Sequence, residues 1–249
     1  MYPKWRGFCG TLTLAASLMF LGGCGSTSLT YVRVVNASPG PTGFTVQVGQ
    51  TGVASGLPYG TEGVQPKGQY STIDNTGAYR EIGAGNNQPV IVYTTPGSSP
   101  LTKATHSFPK NTYATIVTLS PQPAIQLQIL TDVNTAPPSG EYRLRFMDAS
   151  PRAGAIDVYI TAPGGSVVGA TPVIGNINFQ GVVSNPQPSP GTLEIQITPQ
   201  GNQATVLATL PFAPASGQNY SVFFLDPPNS GSGIYGLLVV NDPIPSGKM

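Results

Sequence analysis

Alternating apolar and polar side chains dominate the chain after its first 30 residues. Segments 32–36, 44–48, 125–129 and 156–160 place apolar residues at every second or nearly every second position. A half-buried β-strand has this period of two, because successive side chains point to opposite faces of the sheet. Glycine and proline, 31 and 26 of the 249 residues, favour turns between such segments. The pattern predicts an all-β fold.

The alternating segments occur twice in the same order. Residues 32–39, Val-Arg-Val-Val-Asn-Ala-Ser-Pro, match residues 144–151, Leu-Arg-Phe-Met-Asp-Ala-Ser-Pro, and the match continues without a gap from 44–48 to 156–160. In each copy Asn or Asp precedes Ala-Ser-Pro, where its side chain is expected to accept backbone hydrogen bonds and cap the turn. An internal repeat of this kind predicts two units of one fold.

Each unit has the length and turn spacing of a two-sheet sandwich with roughly seven short strands. Segment 108–113, Phe-Pro-Lys-Asn-Thr-Tyr, is similar to the corner of immunoglobulin-like domains, where a tyrosine at the start of a strand bonds back to the preceding turn. We therefore predict two tandem immunoglobulin-like (fibronectin III-like) antiparallel β-sandwiches after a helical signal peptide. The predicted boundaries are 1–23 for the signal peptide, 24–30 for a lipidated tether, 31–136 for the first sandwich, 137–140 for a linker, 141–243 for the second sandwich and 244–249 for a C-terminal tail.

The repeated motif also resembles a known family. A strand with Arg-x-x-(Asn/Asp)-Ala-Ser-Pro, followed by a strand such as 156–160, Ile-Asp-Val-Tyr-Ile, resembles the family of domains of unknown function numbered 4397. The second unit matches best, since the first has Thr-Val-Gln at 45–47 in place of Asp-Val-Tyr. The resemblance covers nearly all of the chain after the signal as two copies, and it implies an extracytoplasmic β-sandwich module without an assigned activity.

The N-terminus predicts secretion. Lys4 and Arg6 precede an uncharged apolar stretch at 11–21, which is too short for the roughly 20 residues of a membrane-spanning helix. The following Leu-Gly-Gly-Cys at 21–24 resembles the lipobox of bacterial lipoproteins. That resemblance implies cleavage before Cys24 and acylation of Cys24, including palmitate, so that the acyl chains hold the protein to the membrane. Gly25 in place of Asp then implies the outer membrane in a bacterium that has one.

Composition narrows the function classes. Without the signal the chain keeps nine basic and ten acidic side chains, and only 8% of all residues are charged. Nucleic-acid binding, which needs clustered Lys and Arg, is not expected. Cys24 would be the one cysteine left and would carry lipid, so disulfides and thiolate metal sites are not expected. No cofactor is predicted.

Candidate chemistry is sparse. Asp132, Asn134 and Asp242 lie at the ends of the units and are weak calcium candidates, because calcium takes six or more oxygen ligands. His106 is the single histidine, and no nucleophile motif accompanies it, so we expect a structural or surface role. Asp148 and Asp157 are close in sequence, but the first unit has neutral Asn36 and Thr45 there, which favours a structural role over glycosidase catalysis.

Two strands of the second unit are apolar on both faces. Segments 222–225 and 237–240 contain only apolar residues, whereas their counterparts in the first unit carry Thr115, Thr118, Gln126 and Gln128 among apolar residues. A sheet that is apolar on both faces must be covered on both. We expect an interface, against the first unit, another copy or a partner, or else a cover by the unit's own loops. Its candidate residues are Phe223, Leu225, Leu238 and Val240.

These observations predict a lipid-anchored envelope protein that is not an enzyme and has a structural, adhesive or protein-binding role. The alternative is a protein that binds envelope or extracellular polysaccharide through exposed tyrosines. A glycoside hydrolase is the third hypothesis. The expected contacts are the membrane, through the acylated N-terminus, and an envelope protein or polysaccharide.

Overall fold

The structure is a computed structural model that describes residues 28–40, 43–60, 79–95, 97–121, 124–188, 190–228, 233–242 and 244. All regular elements in these ranges are β-strands, as predicted for the fold class. The signal peptide, Cys24 and most of the tether lie outside the described residues, as does most of the predicted C-terminal tail. Within the described ranges there is no helix with the length and apolarity of a membrane span.

The described residues contain sixteen strands in two sets of eight, β1–β8 before the predicted linker and β9–β16 after it. The strands are β1 Leu29–Ala37, β2 Phe44–Val48, β3 Thr51–Leu57, β4 Arg80–Gly83, β5 Gly85–Tyr93, β6 Thr102–Phe108, β7 Tyr113–Leu119, β8 Gln126–Thr131, β9 Glu141–Asp148, β10 Ile156–Thr161, β11 Ile174–Ile177, β12 Val182–Pro188, β13 Leu193–Pro199, β14 Ala208–Phe212, β15 Asn219–Leu225 and β16 Gly236–Asp242.

Each set of eight strands forms two four-stranded sheets. In the first unit the orders are β4-β1-β7-β8 and β3-β2-β5-β6, and in the second they are β12-β9-β15-β16 and β11-β10-β13-β14. Adding eight to every strand number of the first unit reproduces the second, so the topologies are identical. We call β4-β1-β7-β8 and β12-β9-β15-β16 the interface sheets and the other two the outer sheets.

The prediction of purely antiparallel sheets is wrong for both interface sheets. β1 pairs with β7 in parallel from Tyr31 to Ala37, and β9 pairs with β15 in parallel from Asn219 to Phe224 of β15. The antiparallel arrangement is the one that the predicted immunoglobulin-like sandwich implies. β1 and β7 are instead joined by a long connection through the outer sheet, which parallel neighbours require.

Apolar residues from both sheets of each unit fill a core between them. The first core includes Val32, Val34, Phe44 and Ile116, and the second includes Phe146, Val158, Ile195 and Phe224 among others. On β1, β7, β9 and β15 the residues that alternate with these core residues face away from the cores. The face of each interface sheet that points away from its own core can therefore contact other groups.

The predicted turn caps are confirmed. Asn36 Oδ1 accepts the amide of Ser38 at 3.0 Å, and Asp148 Oδ1 accepts the amide of Ser150 at 2.8 Å. The tyrosine that bonds back to its preceding turn is found in the second unit, where the Tyr220 hydroxyl accepts the Ala215 amide at 2.9 Å. Tyr113, at the start of β7, instead stacks on Tyr31 with ring centroids 4.5 Å apart.

Candidate functional site

The two interface sheets face each other and share one buried apolar cluster. The predicted interface residues Phe223, Leu225, Leu238 and Val240 lie in this cluster. Their partners come from both units and are Val35, Ala37, Val117, Leu119, Leu130, Met147 and Ala149. β15 and β16, the strands of the second unit that are apolar on both faces, therefore pack against their own core on one face and against the first unit on the other. We call this contact the sandwich interface.

Two arginines cross the sandwich interface at one end of the apolar cluster. Arg33 of β1 donates through Nη2 to Asp242 Oδ1 and through Nη1 to the Asn241 carbonyl at 3.0 Å. Its Nε donates to Thr115 Oγ1 of its own unit at 2.8 Å. The Arg33 side chain is fully buried, so its charge is compensated by the second unit rather than by water.

The second arginine makes the same contacts in the opposite direction. Arg145 of β9 donates through Nη2 to Asp132 Oδ1 at 2.6 Å and through Nη1 to the Thr131 carbonyl at 3.2 Å. Its Nε donates to Ser221 Oγ of its own unit at 2.8 Å. Each unit thus offers an arginine and receives one, which is the reciprocal pattern of an isologous contact.

Hydroxyl groups complete this charged group. Thr115 Oγ1 donates to Asp132 at 2.8 Å, and Ser221 Oγ donates to Asp242 Oδ2 at 2.6 Å. Tyr79 adds a contact that has no counterpart among the described residues of the second unit. Its hydroxyl donates to Asp132 Oδ2 at 2.5 Å, and its ring centroid lies 4.9 Å from the Arg33 guanidinium carbon. Burial raises the pKa of the Tyr79 hydroxyl well above its usual range, with Arg33 opposing the shift. We call Arg33, Arg145, Asp132 and Asp242, with the hydroxyl groups that bind them, the interface cluster. Its two arginines balance its two aspartates.

The interface cluster accounts for two of the three calcium candidates. Asp132 and Asp242 accept hydrogen bonds from guanidinium and hydroxyl groups, which already occupy their carboxylate oxygens. Asn134 is half-buried in the segment after Asp132. Among the described residues, no three His, Cys, Asp or Glu side chains are grouped closely enough to hold a metal ion.

A second ionic group lies at the end of the second core. Asp148 and Asp226 are both fully buried there, with Ser150 between them and Arg152 beside Asp226. We call these four residues the end cluster. Its link to the first unit is Tyr59, whose hydroxyl donates to the Asp226 carbonyl oxygen.

Asp157, the residue of the Asp-Val-Tyr motif, has a structural environment. Its Oδ1 accepts the Asn176 amide at 2.8 Å and its Oδ2 accepts the Gly201 amide at 2.8 Å. Both carboxylate oxygens therefore fasten loops to the outer sheet. Tyr159 is buried two residues along the same strand, and its hydroxyl accepts Gln203 Nε2 at 3.1 Å. Among the groups that the structure describes, Asp148 and Asp157 have no hydrogen-bond partner in common.

His106 is half-buried on β6, with its ring edge-on to Phe108 at 5.0 Å between centroids. Burial lowers its pKa below the usual value. No hydroxyl or carboxylate of the described residues hydrogen-bonds to its ring, so the structure does not place it in a catalytic triad.

Exposed tyrosines were expected for sugar binding. The nine tyrosines that the structure describes are buried or half-buried. The closest to an aromatic surface is Tyr31, stacked on Tyr113, with Tyr79 edge-on to Tyr113 at 5.2 Å. The corresponding place in the second unit holds Arg143 and Asn219, which bind the segment after Asp132 through the Thr135 carbonyl.

Sequence reasoning missed Arg33 and Arg145, although the sequence carried a signal for them. Each arginine stands between apolar residues in the middle of a strand, Val-Arg-Val and Leu-Arg-Phe, at the same position in both copies. A charge at a position with apolar neighbours on both sides is costly unless it is paired. Asp226 gave no comparable signal, because its counterpart in the first unit is not a carboxylate.

The comparison with family profiles decides the family. The profile described as "Domain of unknown function (DUF4397)" matches residues 30–159, just over half of the chain. The chain belongs to the DUF4397 family. In this DUF4397 protein the matched region starts at the second residue of β1, covers the rest of the eight strands of the first unit and continues through β9 into β10. The sequence-based resemblance is thereby confirmed for one copy.

No curated protein matches this DUF4397 chain. One similar solved structure is that of CBMbc, a family CBM26 module from Eubacterium rectale Amy13K in complex with maltoheptaose. It is 9% identical, the alignment covers 83% of this chain and 99% of that one, and the TM-score is 0.23.

Proposed function

We propose that this protein is a lipid-anchored component of the bacterial envelope in which two coupled β-sandwiches have a non-catalytic structural, adhesive or protein-binding role. The observation that carries the proposal is the sandwich interface. Apolar residues and two reciprocal buried ion pairs join the units, as expected of a stiff spacer and not of two independent domains on a flexible linker.

The second unit is proposed to be a second copy of the family domain. The identical strand orders and the equivalent positions of Arg33 and Arg145 support this assignment. The Tyr220 hydroxyl, bonded to the amide five residues before it, supports an immunoglobulin-like sandwich, because such a corner is typical of that fold.

Anchoring is proposed to occur through Cys24 after removal of residues 1–23, with the outer membrane as destination. The test is metabolic labelling with a fatty-acid analogue, followed by membrane fractionation. Wild type should carry label and sediment with membranes, and Cys24→Ala should lose the label. Cys9→Ala is the matched control and should behave as wild type. Label retained in Cys24→Ala, or an intact Met1 on the recovered protein, would contradict the proposal.

The spacer role is tested by changing Phe223 and Leu238 together to Gln. Small-angle scattering of the wild-type ectodomain should give one compact two-lobed particle, and the variant should have a larger radius of gyration with both sandwiches still folded. Val182→Gln together with Val183→Gln is the control, because both side chains are 37% exposed on β12. Equal radii for wild type and the Phe223/Leu238 variant would remove the observation that carries the proposal.

Polysaccharide binding is the second candidate, and the half-buried Tyr31 and Tyr113 stack is the surface it would use. A glycan array read with wild type and Tyr31→Ala tests it. A glycan that binds wild type and loses affinity with Tyr31→Ala would replace the spacer as the main function. An array without binding leaves the spacer proposal in place.

A further inference from the structure

The end cluster holds two buried carboxylates but only one arginine. Asp148 and Asp226 are both 0% exposed. Among the described residues the neighbouring cation is Arg152, with Nε 3.5 Å from Asp226 Oδ2 and a side chain 37% exposed. With both aspartates ionised the end cluster would carry one uncompensated negative charge, which is costly away from water. The interface cluster has no such deficit.

The hydrogen bonds together with the ion pair show which carboxylate lacks compensation. Ser150 donates its amide to Asp148 Oδ1 at 2.8 Å and its hydroxyl to Asp226 Oδ1. Asp226 also has the Arg152 ion pair and the Arg152 amide at 3.4 Å. Asp148 Oδ2 and Asp226 Oδ2 are both buried without a hydrogen-bond partner among the described residues, but Asp226 Oδ2 has Arg152 Nε 3.5 Å away, whereas Asp148 has no ion pair with a described residue.

The corresponding residue of the first unit is an amide. Asn36 Oδ1 accepts the Ser38 amide, as Asp148 Oδ1 accepts that of Ser150. Asn36 Nδ2 donates to the Leu57 carbonyl at 2.9 Å, so the position that corresponds to Asp148 Oδ2 is a donor. A carboxylate cannot donate, whereas a carboxylic acid can.

Titratable and charged groups face Asp148 from each element that packs there. Asp226 follows β15, Arg152 lies in the turn after β9, and Tyr235 precedes β16. Burial raises the pKa of the Tyr235 hydroxyl, so this tyrosine brings no charge. Tyr59 reaches the cluster from the first unit.

We propose that Asp148 takes up a proton from solvent on Oδ2 in the folded protein near neutral pH, and that losing this proton weakens the end of the second sandwich where Tyr59 joins the first. Burial raises the pKa of Asp148 to about 7, the Ser150 amide opposes the shift and Asp226 adds to it. The unfolded chain has an ordinary Asp pKa of about 3.9. The folded state therefore holds the proton more tightly, and its stabilising contribution is present at acid pH and is lost as the pH rises through 7. This inference does not depend on lipidation or on a role in the envelope.

The test compares wild type with Asp148→Asn, which copies the amide of the first unit. Melting temperatures are measured from pH 5 to pH 8. Over that range wild type should lose on the order of 5–10 °C relative to Asp148→Asn. Asp157→Asn is the control, because Asp157 has backbone donors on both oxygens and lies in the outer sheet. It should lower the melting temperature at every pH and keep the wild-type slope.

A spectroscopic readout separates protonation from packing. Infrared difference spectra at pH 6 should show the carbonyl band of a buried carboxylic acid in wild type and not in Asp148→Asn. Hydrogen exchange of the 149–153 turn should become faster in wild type as the pH rises to 8, after correction for the intrinsic rate.

Melting temperatures that change equally with pH in wild type and Asp148→Asn would overturn the proposal. A carboxylic acid band that persists in the variant would overturn it as well. If Asp148→Asn does not fold, the carboxyl carbon resonances of wild type labelled at aspartate decide the matter. One resonance that titrates near pH 7 supports the proposal, and its absence overturns it.

Discussion

The interface cluster and the end cluster are built from the same groups in different proportions. In the interface cluster two arginines meet two aspartates, and Thr115 and Ser221 bridge each arginine to the aspartate of its own unit. In the end cluster Arg152 pairs with Asp226, and Asp148 Oδ2 has neither a hydrogen bond nor an ion pair with a described residue. One cluster is electrically complete at neutral pH, and the other needs a proton to become so.

The difference assigns different roles to two buried ionic groups in one protein. A complete cluster fixes the relative position of the units. Removing any charged member lowers the unfolding free energy, because the charge that remains cannot reach water. An incomplete cluster makes local stability depend on pH. Two kinds of variant test the comparison. One breaks an ion pair of the interface cluster, and the other gives the first unit a carboxyl group at the position that corresponds to Asp148 of the end cluster.

The largest effect is expected from Arg33→Met. The variant removes the ion pair with Asp242 and leaves that buried carboxylate with Ser221 and with Arg145, whose Nη2 is 3.6 Å away. Removing one partner of a buried pair costs about 3–5 kcal/mol of unfolding free energy. Urea denaturation followed by fluorescence or circular dichroism measures the loss.

Two further variants sharpen this measurement. Arg80→Met removes an exposed arginine of β4 and should change the unfolding free energy by less than about 0.5 kcal/mol. Arg33→Met combined with Asp242→Leu removes both charges and should recover a large part of the loss, because the penalty comes from the orphaned charge. A double variant as unstable as Arg33→Met alone would show that packing, and not pairing, dominates.

An intermediate effect is expected from Asn36→Asp, which gives the first unit the carboxyl group of the second. The new Oδ2 would face the Leu57 carbonyl, which accepts from Asn36 Nδ2 in the native protein. We expect a loss of about 2–4 kcal/mol at pH 8, because a buried carboxylate faces a carbonyl oxygen there. The loss should be smaller at pH 5, where a proton restores the donor. Chemical denaturation at both pH values measures it, and equal losses would contradict the charge argument.

The sequence predicted the strands and the repeat because these depend on local alternation. The strand pairs β1–β7 and β9–β15 could not be predicted in the same way, since they join residues more than 70 positions apart and run in parallel. The apolar pattern also pointed to Phe223 and Leu238 as residues needing a cover. It did not indicate Val35 or Val117, because a strand with one polar residue looks half-exposed until its partner is known.

The charged residues show the same limit more clearly. Asp132 and Asp242 are visible in sequence as carboxylates at the ends of units, and oxygen ligands suggested calcium. Arg33 is 209 residues from its partner Asp242, and Arg145 is only 13 residues from Asp132 but lies in the other unit, so both pairs cross between the units. Composition alone gives the ligand atoms of a site, whereas the cation that fills it depends on the tertiary fold.

The smallest effect is expected from Tyr79→Phe, which tests an asymmetry of the interface cluster. The variant removes the hydroxyl that donates to Asp132 Oδ2 and keeps the ring beside Arg33 and Tyr113. Asp132 retains Thr115 and Arg145, so the loss should be about 0.5–1.5 kcal/mol of unfolding free energy, the usual net value of one hydrogen bond. Because burial raises the pKa of Tyr79, the folded variant and wild type should also have the same tyrosinate absorbance in mildly alkaline solution. A loss as large as that of Arg33→Met would mean that Asp132 depends on Tyr79 more than on Arg145, and the balance of two arginines and two aspartates would no longer explain the cluster.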